Sequence, residues 1–426
     1  MLQGMRYALR RWSVAALGAG LLAAVGPVAA ATLCVNQAAP PGCFTTISAA
    51  VAAAHAGDQI QVAPGFYHES IVITKRLSLL GAGSASTIID ATGLPRAIYI
   101  DGLDHPGLSG VVVSNFTLQN ANFEGLLATN SNQLIITQNH VTGNDRSLIP
   151  AIPACPGIEP FETGSDFDCG EGIHLSGVGE SFVLGNVVET NAGGILLSDD
   201  TGPTFRNLIA ANTSQNNPFD CGIVMASHPP AMITGGKAPF GIFGNTITRN
   251  VSSGNGLALF GAGAGVGIFT FLPGGTVTGN LVSYNTLTGN GLPGVTFHAH
   301  GPNEDLNGNK IIGNTISGNG ADTEDAATPG PTGINVYGVS PIMALVISQN
   351  TISGEAVDVA IKTPTLTKLD DNNLLGTGIG VDNLGFSTVL AFDNYWGCPT
   401  GPNSPGCSTT VGNVLAVPFL TTPVTP

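Results

Sequence analysis

The chain has 426 residues, of which 43% are hydrophobic and only 10% charged, with 59 glycines and 28 prolines; its 13 Lys+Arg face 28 Asp+Glu, a formal net charge of −15. A chain this acidic and this poor in cations excludes nucleic acid and anionic membranes as partners. It also disfavours a polyanionic substrate unless a divalent cation bridges the two.

The first element in chain order is a secretory leader. Arg6, Arg10 and Arg11 precede an apolar run from Trp12 to Val25, and small residues follow at Val28, Ala29 and Ala30. Residues 1–31 are assigned to it, with the mature chain starting near Ala31 or Thr32. Arg10-Arg11 lacks the aromatic-leucine pair that usually follows in twin-Arg export, so ordinary secretion is expected. Removing the three arginines leaves ten cations against the 28 acidic residues. No other apolar run is long enough to span a bilayer. A soluble monomer in the periplasm or outside the cell is expected, with no membrane insertion.

From Phe44 to Gly57 the apolar spacing is helical: Ile47, Ala50, Val51 and Ala54 share one face, and Thr45 or Thr46 offers an N-cap. Strands are expected next at Gln59 to Val62, Ser70 to Ile73, Leu77 to Leu80 and Thr87 to Ile89, separated by Pro64-Gly65 and Gly81-Ala82-Gly83.

A repeat then takes over. Asn recurs five positions apart at Asn115/Asn120, Asn139/Asn144, Asn186/Asn191, Asn207/Asn212, Asn245/Asn250/Asn255, Asn280/Asn285/Asn290 and Asn309/Asn314/Asn319, with a fading copy from Asn350. Between these phrases a Gly opens an alternating apolar run at Gly172, Gly194, Gly222, Gly256, Gly294 and Gly333, spaced 22 to 39 residues apart. Alternation of period 2 means strands with one buried face. Several short strands per repeat, with Gly and Asn at the corners, describe a parallel β-solenoid whose coils bury their apolar faces only by stacking. Asn tolerates a left-handed corner, and amides stacked at about 4.8 Å can bond into a ladder. The N-terminal helix is then the plug that covers the first coil's unpaired edge.

Three insertions interrupt the coils: Asp145 to Asp168, rich in Pro and carboxylates; Ala299 to Leu306; and Ala321 to Thr332, whose Gly, Ala and Thr content suggests mobility. Seven cysteines form three close pairs, Cys34/Cys43, Cys155/Cys169 and Cys398/Cys407, read as short loops closed by disulfides in an exported protein. Cys221 is left over as a buried thiol, with Cys169 as an alternative partner. One domain is expected over 32–426: cap and first coils to 95, repeat coils over 96–392, and a C-terminal clasp and tail from 393.

The runs Phe44 to Val51, Gly57 to Ser70, Gly81-Ala82-Gly83 and Thr87-Ile88-Ile89-Asp90 resemble the opening of the pectin-lyase-like superfamily, as found in pectin methylesterases and NosD-type periplasmic proteins. The closing Asn394-Tyr395-Trp396-Gly397-Cys398 with Cys407 resembles the end of bacterial members. The resemblance covers nearly all the mature chain. It implies an all-β fold, a right-handed parallel β-helix with an N-terminal capping helix. It leaves the activity open, because the same opening heads lyases, hydrolases, epimerases, esterases and proteins without known chemistry. Asp199-Asp200, His228 and Ala360-Ile361-Lys362-Thr363 echo polygalacturonase motifs, but the Asn-Thr-Asp phrase, the glycines flanking the His and the Arg are missing. The epimerase phrase and a pectate-lyase-like arginine are missing too.

Aligning coils on the Gly gives an outward column of His174, Leu196, Val224, Ala258, Thr296 and Asn335, and a second of Ser176, Ser198, Ala226, Phe260, His298 and Tyr337. Further on lie Asp200, His228 and His300. A His beside a carboxylate suits proton transfer near neutrality. Asp199, Asp200, His228 and His174 are therefore the candidate catalytic residues, and His298, His300, Asn335 and Tyr337 the candidate substrate-binding ones. Asp220 is a further carboxylate. His298-Ala299-His300 is a two-ligand pair that does not by itself make a metal site, with His228 or Glu304 as third ligand. The cofactor stays open; Glu304 and Asp305 offer oxygens to calcium at a spacing that fits no EF-hand. The expected function is binding or processing of a polysaccharide by a lyase, hydrolase or epimerase. The alternatives are a non-catalytic scaffold and a NosD-like metal-maturation accessory.

Overall fold

The computed structural model describes residues 30–151, 155–158, 161, 169–228, 240–270, 273–376 and 378–425. All but the last two residues of the expected leader over 1–31, and Glu159, Glu162, Asp166 and Asp168 of the first insertion, lie outside the described residues.

Each coil folds into three short strands. Strand Ile98–Asp101 is followed by Val112–Ser114 and Thr117–Gln119, and the next coil repeats the cycle with Leu126–Thr129. Strands pair in parallel with their equivalents one coil away, which builds three long sheets of fifteen, eleven and twelve strands along a three-sided prism, with a fourth sheet of the short strands Thr204–Phe205, Ile242–Phe243 and Val277–Thr278. The register of the twelve-stranded sheet keeps the inward apolar residues stacked: Leu126, Ile173, Ile195, Ile223, Val266, Val295 and Ile334 face one another in succession. All belong to a single core running the length of the prism. Each such side chain contributes about 1.5–3 kcal/mol by leaving water.

At the N-terminal end lies helix Ile47–Ala53, with Thr46 as N-cap accepting from Ala49 N, and with Ile47, Ala50 and Val51 buried. Glu69 adds a second cap, accepting from Ile47 N and Ser48 N at 2.8 Å, where a carboxylate also meets the positive end of the helix. At the other end Trp396 is fully buried.

The three expected disulfides, Cys34–Cys43, Cys155–Cys169 and Cys398–Cys407, are present, and Cys221 is buried, its sulfur accepting from Ala264 N at 3.2 Å. The setting of Cys43 differs from the expectation of a short loop leading straight into a helix. Cys43 and Phe44 form a strand of their own, the edge of the fifteen-stranded sheet, paired in parallel with Thr32–Val35 so that Cys43 stands directly opposite Cys34. The bridge therefore links two neighbouring strands across a Cα separation of 4.6 Å, within the span a disulfide accepts. Phe44 belongs to this strand and the helix begins only at Ile47. Helical spacing is silent on that boundary, because the pairing of Cys43 and Phe44 is set by the backbone groups that Thr32–Val35 leaves open on its outer side.

The asparagines form ladders, though the left-handed corner is occupied by a different residue from the one expected. Asn139, Asn186, Asn212, Asn250, Asn285, Asn314, Asn350, Asn372 and Asn394 make one column, each backbone N–H donating to the next Oδ1. A second runs from Asn144 through Asn191, Asn217, Asn255 and Asn290 to Asn319. A third starts at Ser181 and continues through Asn207, Asn245 and Asn280 to Asn309. The positive-φ position is the residue just before the rung, such as Arg206, Arg249, Gly254, Tyr284 or Gly289. The rung itself must point its amide inward. Asn115 and Asn120 are corner residues, with φ of 65° and 62°.

One coil was aligned wrongly on the sequence. Gly256 opens no strand; 256–263 is a turn, and the strand of that coil is Val266–Thr270, introduced by Gly265. Two glycines lay close enough to compete for the role. The position before the strand needs glycine because the chain passes against the asparagine ladder: a Cβ on Gly222 would collide with Ser252 Oγ and lie 2.6 Å from Asn255 Nδ2. The true columns therefore carry Gly267 and Phe269 in place of Ala258 and Phe260.

Candidate functional site

The two corners flanking the twelve-stranded sheet carry the long connections. On the side where the chain enters the sheet these are 143–172, 216–222, 254–265 and 318–331; on the side where it leaves, 300–309 and 339–345 are the longest that are fully described. Pro150 and Ala151, Phe219 to Cys221, Leu259 to Gly263 and Asp322 to Asp325 from the entry-side connections line a cleft of about 800 Å³ together with strand residues such as Val224 and His298. Columns expected in solvent are buried beneath these connections: His174 and His228 are 1% exposed, and Asn335 is 0% exposed.

The first expected group lies behind the cleft wall. Ser198 Oγ donates to Asp200 Oδ2 at 2.8 Å and sits 2.8 Å from His174 Nε2. The hydroxyl has one proton and gives it to the carboxylate, so His174 Nε2 carries the proton of the second bond. Asp200 Oδ1 lies 3.4 Å from His228 Nδ1. A polar string thus crosses three coils from His174 to His228. Behind His174, Glu124 and Glu171 bring carboxylate oxygens within 4.8 Å of its ring nitrogen, and Arg96 Nε donates to Glu124 Oε2 at 2.7 Å. Asp199 points elsewhere. It accepts from His228 N, Ser227 Oγ and Gly241 N at 2.6 to 3.0 Å, which anchors both ends of the connection between 228 and 241. Burial pushes its carboxyl up to about 6; the Gly241 N–H works against this and the charge of Asp200 adds to it.

The second group lines the cleft. His298 and His300 lie beside Asp322 and Asp325 of the third insertion, and His228 lines the same space with Asp220 and Glu324. His298 Nε2 is 3.0 Å from Asp322 Oδ2, and His298 Nδ1 is 3.2 Å from Asp325 Oδ2. His300 Nε2 reaches the same Asp325 oxygen at 3.0 Å. Burial alone would raise the Asp322 carboxyl. The bond and charge of His298 and the N–H groups of Ala326 and Asp325 outweigh that and hold it down to about 2. The bond to Asp325 raises the His300 pKa against the opposing effect of burial. Phe269 stacks on His298 with ring centroids 5.1 Å apart.

Asn335 donates to Asp322 Oδ2 at 2.6 Å, so it positions that carboxylate. Tyr337 packs against both imidazoles, under Lys362 Nζ at 5.4 Å. The third insertion, expected to be mobile, is pinned at Asp322, which accepts from the backbone of Glu324, Asp325 and Ala326. That fixation brings in Asp322, Glu324 and Asp325, which sequence reasoning missed. The available signal was an acidic insertion leaving the coil right after a His-x-His strand. His174, Asp199 and Asp200 are absent from the cleft lining.

Two groups of three have ligating spacing among the described residues: His298, His300 and Asp325, and Glu124, Glu171 and His174. Neither includes Glu304 or Asp305. Glu304 is 4% exposed, and burial raises its carboxyl; Asp305 accepts from Asn307 N within its own turn. Among the described residues no helix is long and apolar enough to cross a membrane.

The family model described as "Right handed beta helix region" matches residues 84–271. No curated protein matches the chain. Among solved structures, the Dettilon tailspike protein is 14% identical, with 84% of this chain covered, 62% of that one and a TM-score of 0.51. A GH87 α-1,3-glucanase catalytic domain solved with tetrasaccharides is 11% identical, with 84% and 63% covered and a TM-score of 0.50. The GH87 α-1,3-glucanase catalytic unit from Streptomyces thermodiastaticus is 14% identical, with 89% and 66% covered and a TM-score of 0.47. The chain spans less than two thirds of each of these proteins. At such identities the likeness is one of fold, and it agrees with three parallel sheets wound coil upon coil: the chain is a right-handed parallel β-helix protein.

Proposed function

We propose that this chain is an exported glycoside hydrolase that binds a neutral polysaccharide in the cleft over the twelve-stranded sheet. The observation that carries the reading is the charge of the cleft. Its described lining holds four carboxylates, Asp220, Asp322, Glu324 and Asp325, and no Lys or Arg. Glycoside cleavage passes through an oxocarbenium-like cation that such a field stabilises. A lyase or epimerase builds up an enolate instead and needs cations there. A polyuronate would be repelled on approach.

The acid–base pair is drawn from the carboxylates that line the cleft, with Asp220 and Glu324 the two assigned to it. One carboxyl protonates the glycosidic oxygen as its bond to the anomeric carbon breaks. The other takes a proton from the water that adds to that carbon, or adds there itself before water releases the sugar. His228, aligned by Asp200, is the third proton-carrying group of the wall. The α-1,3-glucanase domain of like fold, solved with tetrasaccharides, supports an oligosaccharide as occupant.

The test is a panel of neutral and uronate polysaccharides with two readouts, new reducing ends and unsaturated-uronate absorbance. Reducing ends from a neutral glycan are expected, lost in Asp220→Asn and Glu324→Gln with unchanged melting temperature. Unsaturated products from a uronate would overturn the reading in favour of a lyase. Silence in both channels would overturn it in favour of a binding module.

A further inference from the structure

His298 and His300 present a proton-accounting problem that the polysaccharide reading does not use. Asp322 accepts four donors besides His298: Glu324 N and Asp325 N on Oδ1, at 3.2 and 3.0 Å, and Asn335 Nδ2 and Ala326 N on Oδ2, at 2.6 and 3.1 Å. A carboxylate so surrounded is an acceptor, so the proton between it and His298 resides on Nε2. His300 Nδ1 lies 3.3 Å from the carbonyl oxygen of Thr270. A carbonyl only accepts, so that nitrogen carries a proton as well.

In neutral imidazoles these two assignments place the lone pairs on His298 Nδ1 and His300 Nε2. Both atoms face Asp325 Oδ2, at 3.2 and 3.0 Å. Two lone pairs and an anionic oxygen repel one another at that distance unless positive charge lies between them. Protonating His300 alone would satisfy its contact and leave the His298 lone pair against the same oxygen; protonating both rings would place two imidazolium ions with centroids 5.5 Å apart. A single divalent ion supplies the positive charge with both rings neutral. The observed separations are close to the edge of a tetrahedron with metal–ligand bonds of about 2.0–2.1 Å, which is roughly 3.3 Å.

The surroundings have the form of an outer coordination shell. A ligating imidazole ordinarily donates its other N–H to a carboxylate or a backbone carbonyl, which fixes ring and tautomer; here Asp322 serves His298 and Thr270 serves His300. The loop bearing Asp325 is tethered by Lys362 Nζ, which donates to its backbone oxygen at 2.8 Å. Two imidazoles and one carboxylate select a borderline transition metal over calcium or magnesium.

We propose that His298, His300 and Asp325 bind one divalent transition-metal ion of the zinc class, with Asp322 and the Thr270 carbonyl orienting the two imidazoles and the remaining coordination position open to the cleft. The inference goes beyond sugar cleavage and does not depend on it. A chain that binds zinc and cleaves nothing upholds it, and a hydrolase that binds none overturns it.

The test is equilibrium dialysis of the full chain, stripped with chelator, against Zn²⁺, with Co²⁺ as a spectroscopic probe. One Zn²⁺ per chain is expected, undisplaced by millimolar Ca²⁺, with the visible bands of four- or five-coordinate Co²⁺. His300→Ala and Asp325→Asn should each weaken binding at least 100-fold and remove those bands, and Asp322→Asn should weaken it about 10–100-fold. Circular dichroism and melting temperature verify that each variant is folded. His300 and Asp325 lie on the cleft surface, so their replacement leaves the coils intact. The proposal fails if the wild-type chain takes up no stoichiometric Zn²⁺. It fails equally if folded His300→Ala and Asp325→Asn bind as wild type, since the ion would then lie elsewhere, for instance at Glu124, Glu171 and His174.

Discussion

Glu355 Oε1 accepts both the backbone N–H and the Nδ2 of Asn319, each at 3.1 Å, so a column of asparagines ends on a carboxyl. Burial raises the pKa of Glu355, and three residues on, Asp358 is pushed up to about 8 by its own burial and, less strongly, by the charge of Glu355. A carboxyl whose folded pKa exceeds its unfolded value favours the folded state while both states are protonated. That contribution is present below about pH 4 and is lost as pH rises through 8. Asp358→Asn keeps an acceptor for Gly376 N and removes the titration. It is expected to raise the melting temperature at pH 8 and to leave it unchanged at pH 4. An equal shift at both pH values would show that ionisation of Asp358 plays no part.

The ladder rungs differ sharply from their neighbours. Asn250 Oδ1 accepts from Asn212 N and Nδ2 at 2.9 and 3.0 Å, and its Nδ2 reaches Ile209 O at 2.9 Å. Asn250→Ala orphans all three partners in the core, at about 1–3 kcal/mol for each buried group left unpaired. The preceding Arg249 holds the left-handed corner at φ 54°, a conformation glycine adopts without strain. Arg249→Gly should therefore stay within about 1 kcal/mol of wild type, whereas Asn250→Ala loses several. Urea titrations showing comparable losses at both positions would contradict the ladder's role.

The capping helix, the parallel coils and the three disulfides were legible because each rests on local pattern: helical spacing at Ile47, Ala50, Val51 and Ala54, alternation in the strands, and short cysteine separations. What could not be read was geometry set by pairing partners and insertions. Cys43 and Phe44 become a strand only because Thr32–Val35 has an open edge beside them. Gly256 and Gly265 offer the same cue, and only the stacked neighbours choose between them. His298 and His300 were visible on a strand, but their partners Asp322 and Asp325 lie in a loop whose Gly, Ala and Thr content points to mobility. Asp322 gathers the backbone N–H groups of its own turn and meets His298 and Asn335 from the flanking strands, a placement that composition does not encode. His174 and Asp200 lie on outward positions, as alternation implies, yet neighbouring loops bury them.

The Cys155–Cys169 disulfide ties the first insertion against Phe123, Leu148 and Ala192, a small cluster separate from the main core. Closing a loop of this length stabilises by about 3 kcal/mol on a chain-entropy basis, and the effect should be confined to the insertion because the coils pack without it. In Cys155→Ser/Cys169→Ser, limited proteolysis is expected to cut between 145 and 170 far faster than in wild type, while the main melting transition barely moves. A main transition lowered together with loop protection would mean that the insertion and the prism unfold as one unit.

Phe260 is 83% exposed, with Leu257 at 65% and Leu259 at 37% in the same turn, and Phe260 and Leu259 line the cleft beside the acidic loop, where Gly261 nears Thr323 and Glu324. Three large apolar side chains within four residues form a patch that a soluble surface rarely carries without a partner. The CH-rich face of a sugar ring suits an exposed phenyl, which gives up little entropy on contact because it has only two side-chain torsions. Phe260→Ala removes contact area without leaving a cavity, so the melting temperature should hold. On the hydrolase reading, the same change should raise KM for a neutral glycan about tenfold or more and alter kcat little, since contact away from the reacting carbon holds ground and transition states alike. A fall in kcat at constant KM would place Phe260 at the scission point, and the cleft would then bind its chain in a different register.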